Sequence, residues 1–280
     1  MILRDDKILS PDKQIIEIME QIIMCRPAPI RKYDQIYMKA YDMFNQAIFI
    51  SELLANRKVV FLGDGDAMSL LFLLLMEKRQ IPCAEQLSVL DFDERIINNY
   101  KRQFELYDKN LLPHLNAALY NVINPIDEKY KAAYDFFYIN PPYGSKNQGR
   151  SCMAWIYRCM ELCTEHCYGC IILPYDIKLN WTVKNMKAME QFLLKNGFII
   201  KEVSSNMHQY HLQDNPELTS SAMIVERISN VKSKFENRVL PETMLNNFYG
   251  KPRKLPEYIK DNGTIYGLEE YGWIYGQQEF

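Results

Sequence analysis

Apolar residues recur along this chain first at helical and then at strand-like intervals, and that change organises it. Ile15, Ile16, Ile18, Met19, Ile22 and Ile23 fall on one helical face and predict a leading helix over residues 1 to about 24. Arg26-Pro27-Ala28-Pro29 interrupts it. Tyr37, Tyr41, Phe44, Ile48 and Leu53 resume helix-like spacing and predict a second helix over 33–55. From residue 58 onward, short apolar runs alternate with longer amphipathic stretches. The runs predict strands at 58–62, 87–90, 118–122, 135–139, 170–173, 198–204 and 222–227. The stretches predict helices at 67–78, 94–106, 152–165 and 183–195. Such alternation implies an α/β protein: a mostly parallel sheet with helices on both faces, closed by two strands in a hairpin-like link. Beyond residue 229 the pattern lapses into basic positions (Lys232, Lys234, Arg238, Lys251, Lys254) and Tyr-Gly steps at Tyr249, Tyr266, Tyr271 and Tyr275. This tail is expected to pack on the core or on a second subunit, which leaves a homodimer open.

Composition narrows the classes. With 33 basic against 35 acidic residues the net charge is −2, so nothing here favours tight duplex binding. No apolar run reaches the roughly 18 residues that cross a bilayer, and none at the start resembles a secretion signal. The stretch at 70–76 is apolar but short, and reads as a core helix. Seven cysteines, five of them between Cys152 and Cys170, fit a reduced cytoplasmic compartment. Cys159, Cys163 and Cys167 stand four apart, on one face of a helix, among Trp155, Ile156, Met160 and Leu162. That setting suits small packing residues better than metal ligands.

Chemistry enters at the ends of the predicted strands. Asn140-Pro141-Pro142-Tyr143 follows the apolar run at 136–139. The Asn140 side-chain oxygen and the Pro141 carbonyl can accept hydrogen bonds from a neutral amino group and aim its lone pair. The prolines hold both acceptors still, and Tyr143 offers a face to a planar or cationic substrate. The motif resembles the signature of enzymes that move a group from S-adenosylmethionine, or a relative of it, onto an amino nitrogen. Gly63, Asp64, Gly65 and Asp66 lie between the first strand and a helix, where glycines let the backbone approach a cofactor. Asp91 ends the second strand and can take both ribose hydroxyls. Asn121 stands where adenine would be read.

This order of motifs resembles the class I methyltransferase fold, Rossmann-like and seven-stranded, here with N-terminal helices and a C-terminal extension. It divides the chain into a helical segment (1–55), a catalytic domain (56–228) and the extension (229–280). The chain further resembles the branched-chain polyamine synthases, the N4-bis(aminopropyl)spermidine synthases. The likeness runs from Arg26-Pro27, Pro29 and Asp34-Gln35 through Leu62-Gly63-Asp64-Gly65-Asp66 and Leu90-Asp91-Phe92-Asp93-Glu94-Arg95 to Pro141-Pro142-Tyr143, within residues 26–175. The glycine loop is also similar to that of spermidine synthases, with Asp66 on that family's Asp.

The resemblance implies transfer of an aminopropyl group from decarboxylated S-adenosylmethionine to a polyamine. That donor carries a sulfonium and an ammonium but no carboxylate. Acids in the loop would attract it and repel S-adenosylmethionine itself, although one of them can instead cap the following helix. Asn140 and Pro141 would orient the nitrogen, and Tyr143 and Tyr175 would pack on the substrate. Asp176 and Asp214 would hold distal ammonium groups, with Asp176 also able to take the proton. The segment His208-x-Tyr210-x-Leu212-x-Asp214 would join the same wall. There are departures: the family generally has Asp at position 140 and an acid near 121, and its winged-helix-like N-terminal domain needs more residues than precede the first strand here. Asn140 cannot act as a base. The alternative is methylation, by S-adenosylmethionine, of an amino group on adenine, cytosine or a protein Gln. Lys146, Asn147 and Arg150 would then meet nucleic acid. A third reading is a non-catalytic scaffold that keeps the pocket.

Overall fold

Val59 and Phe61 of strand β1 (Lys58–Leu62) point to one side of a sheet, and Val60 and Leu62 to the other; all four are buried. A strand apolar on both faces needs cover on both, and the helices supply it. The computed structural model describes residues 13–106, 113–212, 217–252 and 254–262. Six further strands complete the sheet: β2 (Gln86–Asp91), β3 (His114–Leu119), β4 (Tyr134–Ile139), β5 (Cys163–Pro174), β6 (Phe198–Gln209) and β7 (Thr219–Arg227). Their order is β3-β2-β1-β4-β5-β7-β6. The first five are parallel, and β7 runs antiparallel between β5 and β6. The strand order reverses between β1 and β4, so a crevice opens outside their carboxyl ends.

Helices α1 (Lys13–Cys25), α2 (Ala40–Leu54), α3 (Met68–Glu77) and α4 (Glu94–Glu105) share one core with Val59 and Phe61. Helices α5 (Arg150–Leu162) and α6 (Asn180–Lys195) form the other core with Val60 and Leu62, joined by Phe235, Leu240 and Phe248 of the tail. The tail is anchored there by Arg158, fully buried on α5. Its guanidinium donates to the carbonyls of Val122, Ile123, Phe235 and Arg238 at 2.8–3.1 Å, and it pairs with Glu161 at 2.8 Å. Tyr266, Tyr271 and Tyr275 lie outside the described residues.

Three expectations are corrected. The strand placed at 118–122 lies at His114–Leu119, since its half-buried edge position gives it little apolar signature. The helix placed at 152–165 ends at Leu162, and Cys163 already begins β5. A spacing of four fits one face of a strand as well as one face of a helix, so Cys163 and Cys167 are buried together on β5. The helix placed at 33–55 starts only at Ala40. Before it, a 3-10 turn at Arg31–Tyr33 leads through Asp34, at φ 61°, into a strap without helix that bridges Met38 to Tyr210. Lys39 N–H reaches the Gln209 carbonyl and His211 N–H the Tyr37 carbonyl, both at 2.9 Å.

Gly169 of β5 has no room for a side chain. A Cβ there would stand 2.1 Å from Cζ of Phe137, whose ring is fully buried against Phe198. Gly169→Ala is expected to destabilise the fold by about 1–3 kcal/mol, the usual cost of overpacking, read as a lower urea midpoint with an unchanged m-value.

Candidate active site

Glycine is required at the first turn after β1. Gly63 has φ +71°, the left-handed region that side chains strain to enter, and it packs beside the Trp155 indole. That indole donates to the Leu62 carbonyl at 3.2 Å. The Gly63 N–H continues the strand ladder to Leu90 O at 2.8 Å. The loop after β1 is thereby fixed against the end of β2, and the loop after β4 lies beside them.

The two loop acids do different work. The Asp64 carboxylate accepts from the N–H groups of Met68 (2.9 Å) and Ser69 (3.0 Å) at the start of α3, and from the Tyr100 hydroxyl. Asp64 is therefore the helix cap, and burial pushes its pKa up to about 6. Asp66 is 5% exposed. One of its oxygens accepts from Met38 N–H of the strap at 2.7 Å and the other from the Asn140 amide nitrogen at 2.8 Å. Burial raises its pKa, while the Met38 N–H and the Arg26 charge oppose the rise. Facing a carboxylate, Asn140 turns its NH2 to Asp66 and keeps its carbonyl oxygen as the acceptor for something else.

Asp91 accepts Asp64 N–H at 2.8 Å on one oxygen and Asp93 N–H at 2.9 Å on the other, and lone pairs remain on both. Burial, then the neighbouring Asp93, lifts its pKa to about 7. Asp93 caps α4 and pairs with Arg95 at 2.7 Å, and Gln35 of the strap donates to it at 2.8 Å.

These residues surround a cavity of about 300 Å³. Gly63, Asp64, Gly65, Asp66, Asp91, Asn121, Asn140, Pro141 and Tyr143 all line it. Tyr175 and Asp176 do not. Tyr175 packs in the α5–α6 core, and the Asp176 carboxylate accepts Lys178 N–H at 2.8 Å within the turn before α6. Asp214 lies outside the described residues. Asn121 is present but engaged. Its amide nitrogen donates to the carbonyls of Pro256 (3.2 Å) and Glu257 (2.6 Å), and its oxygen accepts Ile123 N–H at 3.1 Å. It holds the tail from the cavity wall. Asn147 is similarly committed to Ser151 and to the Asn246 carbonyl, whereas the exposed Arg150 uses one nitrogen on Thr243 O at 3.3 Å.

The strap and the tail contribute Tyr33, Tyr37 and Tyr249, and their neighbours Phe92 and Trp155, all missed by sequence reasoning, whereas Tyr143, Tyr210 and Leu212 line the cavity as the expected wall. Tyr33, Phe92 and Tyr249 form an aromatic corner with ring centroids 5.6–6.2 Å apart. Trp155 stacks on Phe248 beside it. Tyr37 lies under the buried Arg26 guanidinium at 4.2 Å from its ring centre. Tyr143 O–H donates to Tyr210, whose hydroxyl lies 2.7 Å from Ser220 Oγ. The Asp34-Gln35 pair and the Tyr249-Gly250 step were the available signals.

Residues 14–271 match the profile of the branched-chain polyamine synthase A C-terminal domain. The chain belongs to that family. A member of it, the N(4)-bis(aminopropyl)spermidine synthase of Methanocaldococcus jannaschii, is 26% identical over 132 residues, 46% of this chain. The match spans only about a third (35%) of that relative's length. The branched-chain polyamine synthase of Thermus thermophilus, solved with N4-aminopropylspermidine and 5'-methylthioadenosine, superposes with a TM-score of 0.67 at 22% identity. That superposition covers 82% of this chain and 67% of the other. A putative RNA methyltransferase from Pyrococcus horikoshii gives 0.54 at 13% identity, covering 78% and 100%. Among synthases and methyltransferases alike, the shared property is the class I methyltransferase fold. Among the described residues no helix is long and apolar enough to cross a membrane.

Ionisation in this chain follows from burial. Carboxylates raised above 3.8 make the folded chain hold more protons than the unfolded one. Their stabilising contribution is full below pH 3.8 and is lost as pH rises through about 6 for Asp64 and about 7 for Asp91. His208, buried and lowered from 6.5 to about 3, works oppositely and weakens the fold as pH drops below 6.5. Asp91→Asn is expected to flatten the decline in urea midpoint between about pH 4 and about pH 7; an unaltered slope would disprove the assignment.

Proposed function

We propose that this chain transfers an aminopropyl group from decarboxylated S-adenosylmethionine to a polyamine nitrogen. The observation that carries the reading is the bond between Asp66 and Asn140, which joins the acid of the donor loop to the motif that positions an amine. The pocket fits an adenosyl donor. Asp91 keeps lone pairs for ribose hydroxyls, and Phe92, Tyr33 and Tyr249 offer apolar faces to a nucleobase. Asp66 supplies negative charge where a sulfonium or a propyl ammonium would lie, and a donor carboxylate there would meet repulsion.

The donor supplies an alkyl carbon bound to a sulfonium. The acceptor nitrogen must arrive unprotonated, and the apolar walls at Trp181, Leu212 and Leu218 disfavour its charged form. The Asn140 oxygen and the Pro141 carbonyl accept its N–H hydrogens and leave the lone pair aimed. The N–C bond forms as the C–S bond breaks, the electron pair goes to sulfur, and the product nitrogen leaves as an ammonium. No base at position 140 is needed. The domain boundaries at 55 and 228, a cytoplasmic location and a homodimer are compatible additions.

Incubation with spermidine and either donor, followed by mass spectrometry, tests the reading. Aminopropylated spermidine formed only from the decarboxylated donor is the expected product. Methylated product from S-adenosylmethionine would overturn it in favour of an amino-methyltransferase.

A further inference from the structure

Behind the cavity wall runs a line of buried polar side chains that the transfer chemistry above does not use. Tyr143 and Tyr210 line the cavity, whereas Ser220, His208 and Gln46 lie behind them with no more than 0% exposure each. The links are short: Tyr143 to Tyr210 at 2.6 Å, Tyr210 to Ser220 Oγ at 2.7 Å, Ser220 Oγ to His208 Nδ1 at 2.8 Å, and His208 Nε2 to Gln46 Oε1 at 2.7 Å. The line ends where the Gln46 amide nitrogen donates to Cys170 Sγ at 3.3 Å. Five polar groups in apolar surroundings are costly unless every one is matched.

The inner end fixes the direction of every bond. With its nitrogen on the sulfur, Gln46 presents a carbonyl oxygen to His208, so Nε2 carries the imidazole proton. Nδ1 is then an acceptor, and Ser220 donates to it. The Ser220 oxygen must in turn accept from Tyr210, and the Tyr210 oxygen from Tyr143. Tyr143 has now given away its only proton, and its oxygen at the cavity can only accept.

We propose that His208, acting through Ser220 and Tyr210, orients this chain so that the Tyr143 oxygen is a dedicated acceptor for an ammonium group of the polyamine. His208 is a positioning residue: it lies outside the cavity and sets what Tyr143 offers there. Burial keeps the imidazole neutral across the physiological range, so the direction does not reverse with pH. The inference rests on the polyamine reading above and assigns the acceptor side of that site.

Calorimetry of the intact chain with two probes, spermidine in the presence of 5'-methylthioadenosine and 5'-methylthioadenosine alone, is the test. His208→Phe is expected to weaken spermidine binding about tenfold, the scale of one charge-assisted hydrogen bond, while the nucleoside affinity stays within about twofold. His208→Asn, whose side-chain oxygen falls near the place of Nδ1, should recover most of the loss. A purely structural role would lower both affinities together. Should His208→Phe not fold, Ser220→Ala and Tyr210→Phe cut the same line with little change of volume and are expected to show the same split. Equal spermidine binding by the unsubstituted and substituted proteins would overturn the inference. If the unsubstituted protein bound 5'-methylthioadenosine but no spermidine, the proposed acceptor class would fall, and this inference with it.

Discussion

Asn140→Ala is expected to reduce transfer by about 10²-fold or more while leaving 5'-methylthioadenosine affinity within a few-fold. The carbonyl oxygen of Asn140 is the one side-chain acceptor that Asp66 orients and does not occupy, since the bond between them uses the amide nitrogen. Removing it leaves Pro141 as the remaining acceptor of the pair and lets the nucleophile rotate away from the reacting carbon. The proposed nucleoside contacts lie elsewhere on the cavity lining, at Gly63, Asp91, Phe92 and Tyr249, so binding of the product nucleoside has little reason to change. Single-turnover rates with saturating donor, set beside nucleoside titrations, separate the two effects. A variant that lost nucleoside binding yet transferred normally once saturated would show that Asn140 had been given the wrong role.

Asp66→Asn is expected to weaken the decarboxylated donor by about 10- to 100-fold, the scale of one or two charge-assisted hydrogen bonds. Its effect on uncharged 5'-methylthioadenosine should be much smaller. The same change should narrow the preference over S-adenosylmethionine, because the repulsion of a carboxylated donor disappears with the charge. An added amide NH2 would also face Met38 N–H or the Asn140 NH2, so the Asn140 rotamer loosens and the rate falls as well. Competition titrations with the two donors give the ratio directly. An unchanged ratio would mean that Asp66 does not choose between them.

Much of this site could be read from residue order. A strand end marks where a functional loop must lie, and Gly63, Asp91 and Asn140 fell at three such ends because a strand buried on both faces reads as a short continuous apolar run closed by turn or acidic residues. Spacing could not reveal competition for hydrogen bonds. Asn121 has the residue type and place to read adenine, yet carbonyls 135 and 136 positions later claim its amide nitrogen. Asp176 sits at a strand end like the others, but the N–H two residues on takes its carboxylate. Of the two loop acids either side of Gly65, only the fold tells that Asp64 is spent on α3 and Asp66 is not. The strap misled for another reason. Tyr37 keeps helical register with Tyr41 and Phe44, but pairing with the end of β6 and burial under Arg26 outweigh that local preference.

The floor of the cavity comes from the middle of the chain and its roof from segments far apart in sequence. Gly63, Asp91 and Asn140 are in place once β4 has formed, but Tyr249 and the Ile259 backbone that bonds Phe92 and Glu94 arrive more than a hundred residues later. Closing such distant segments is slow relative to local folding. A chain still being synthesised therefore carries the finished floor with Phe92 and Trp155 open to water, a concave apolar surface suited to misassociation. The tail that completes the cavity thus also acts as its shield.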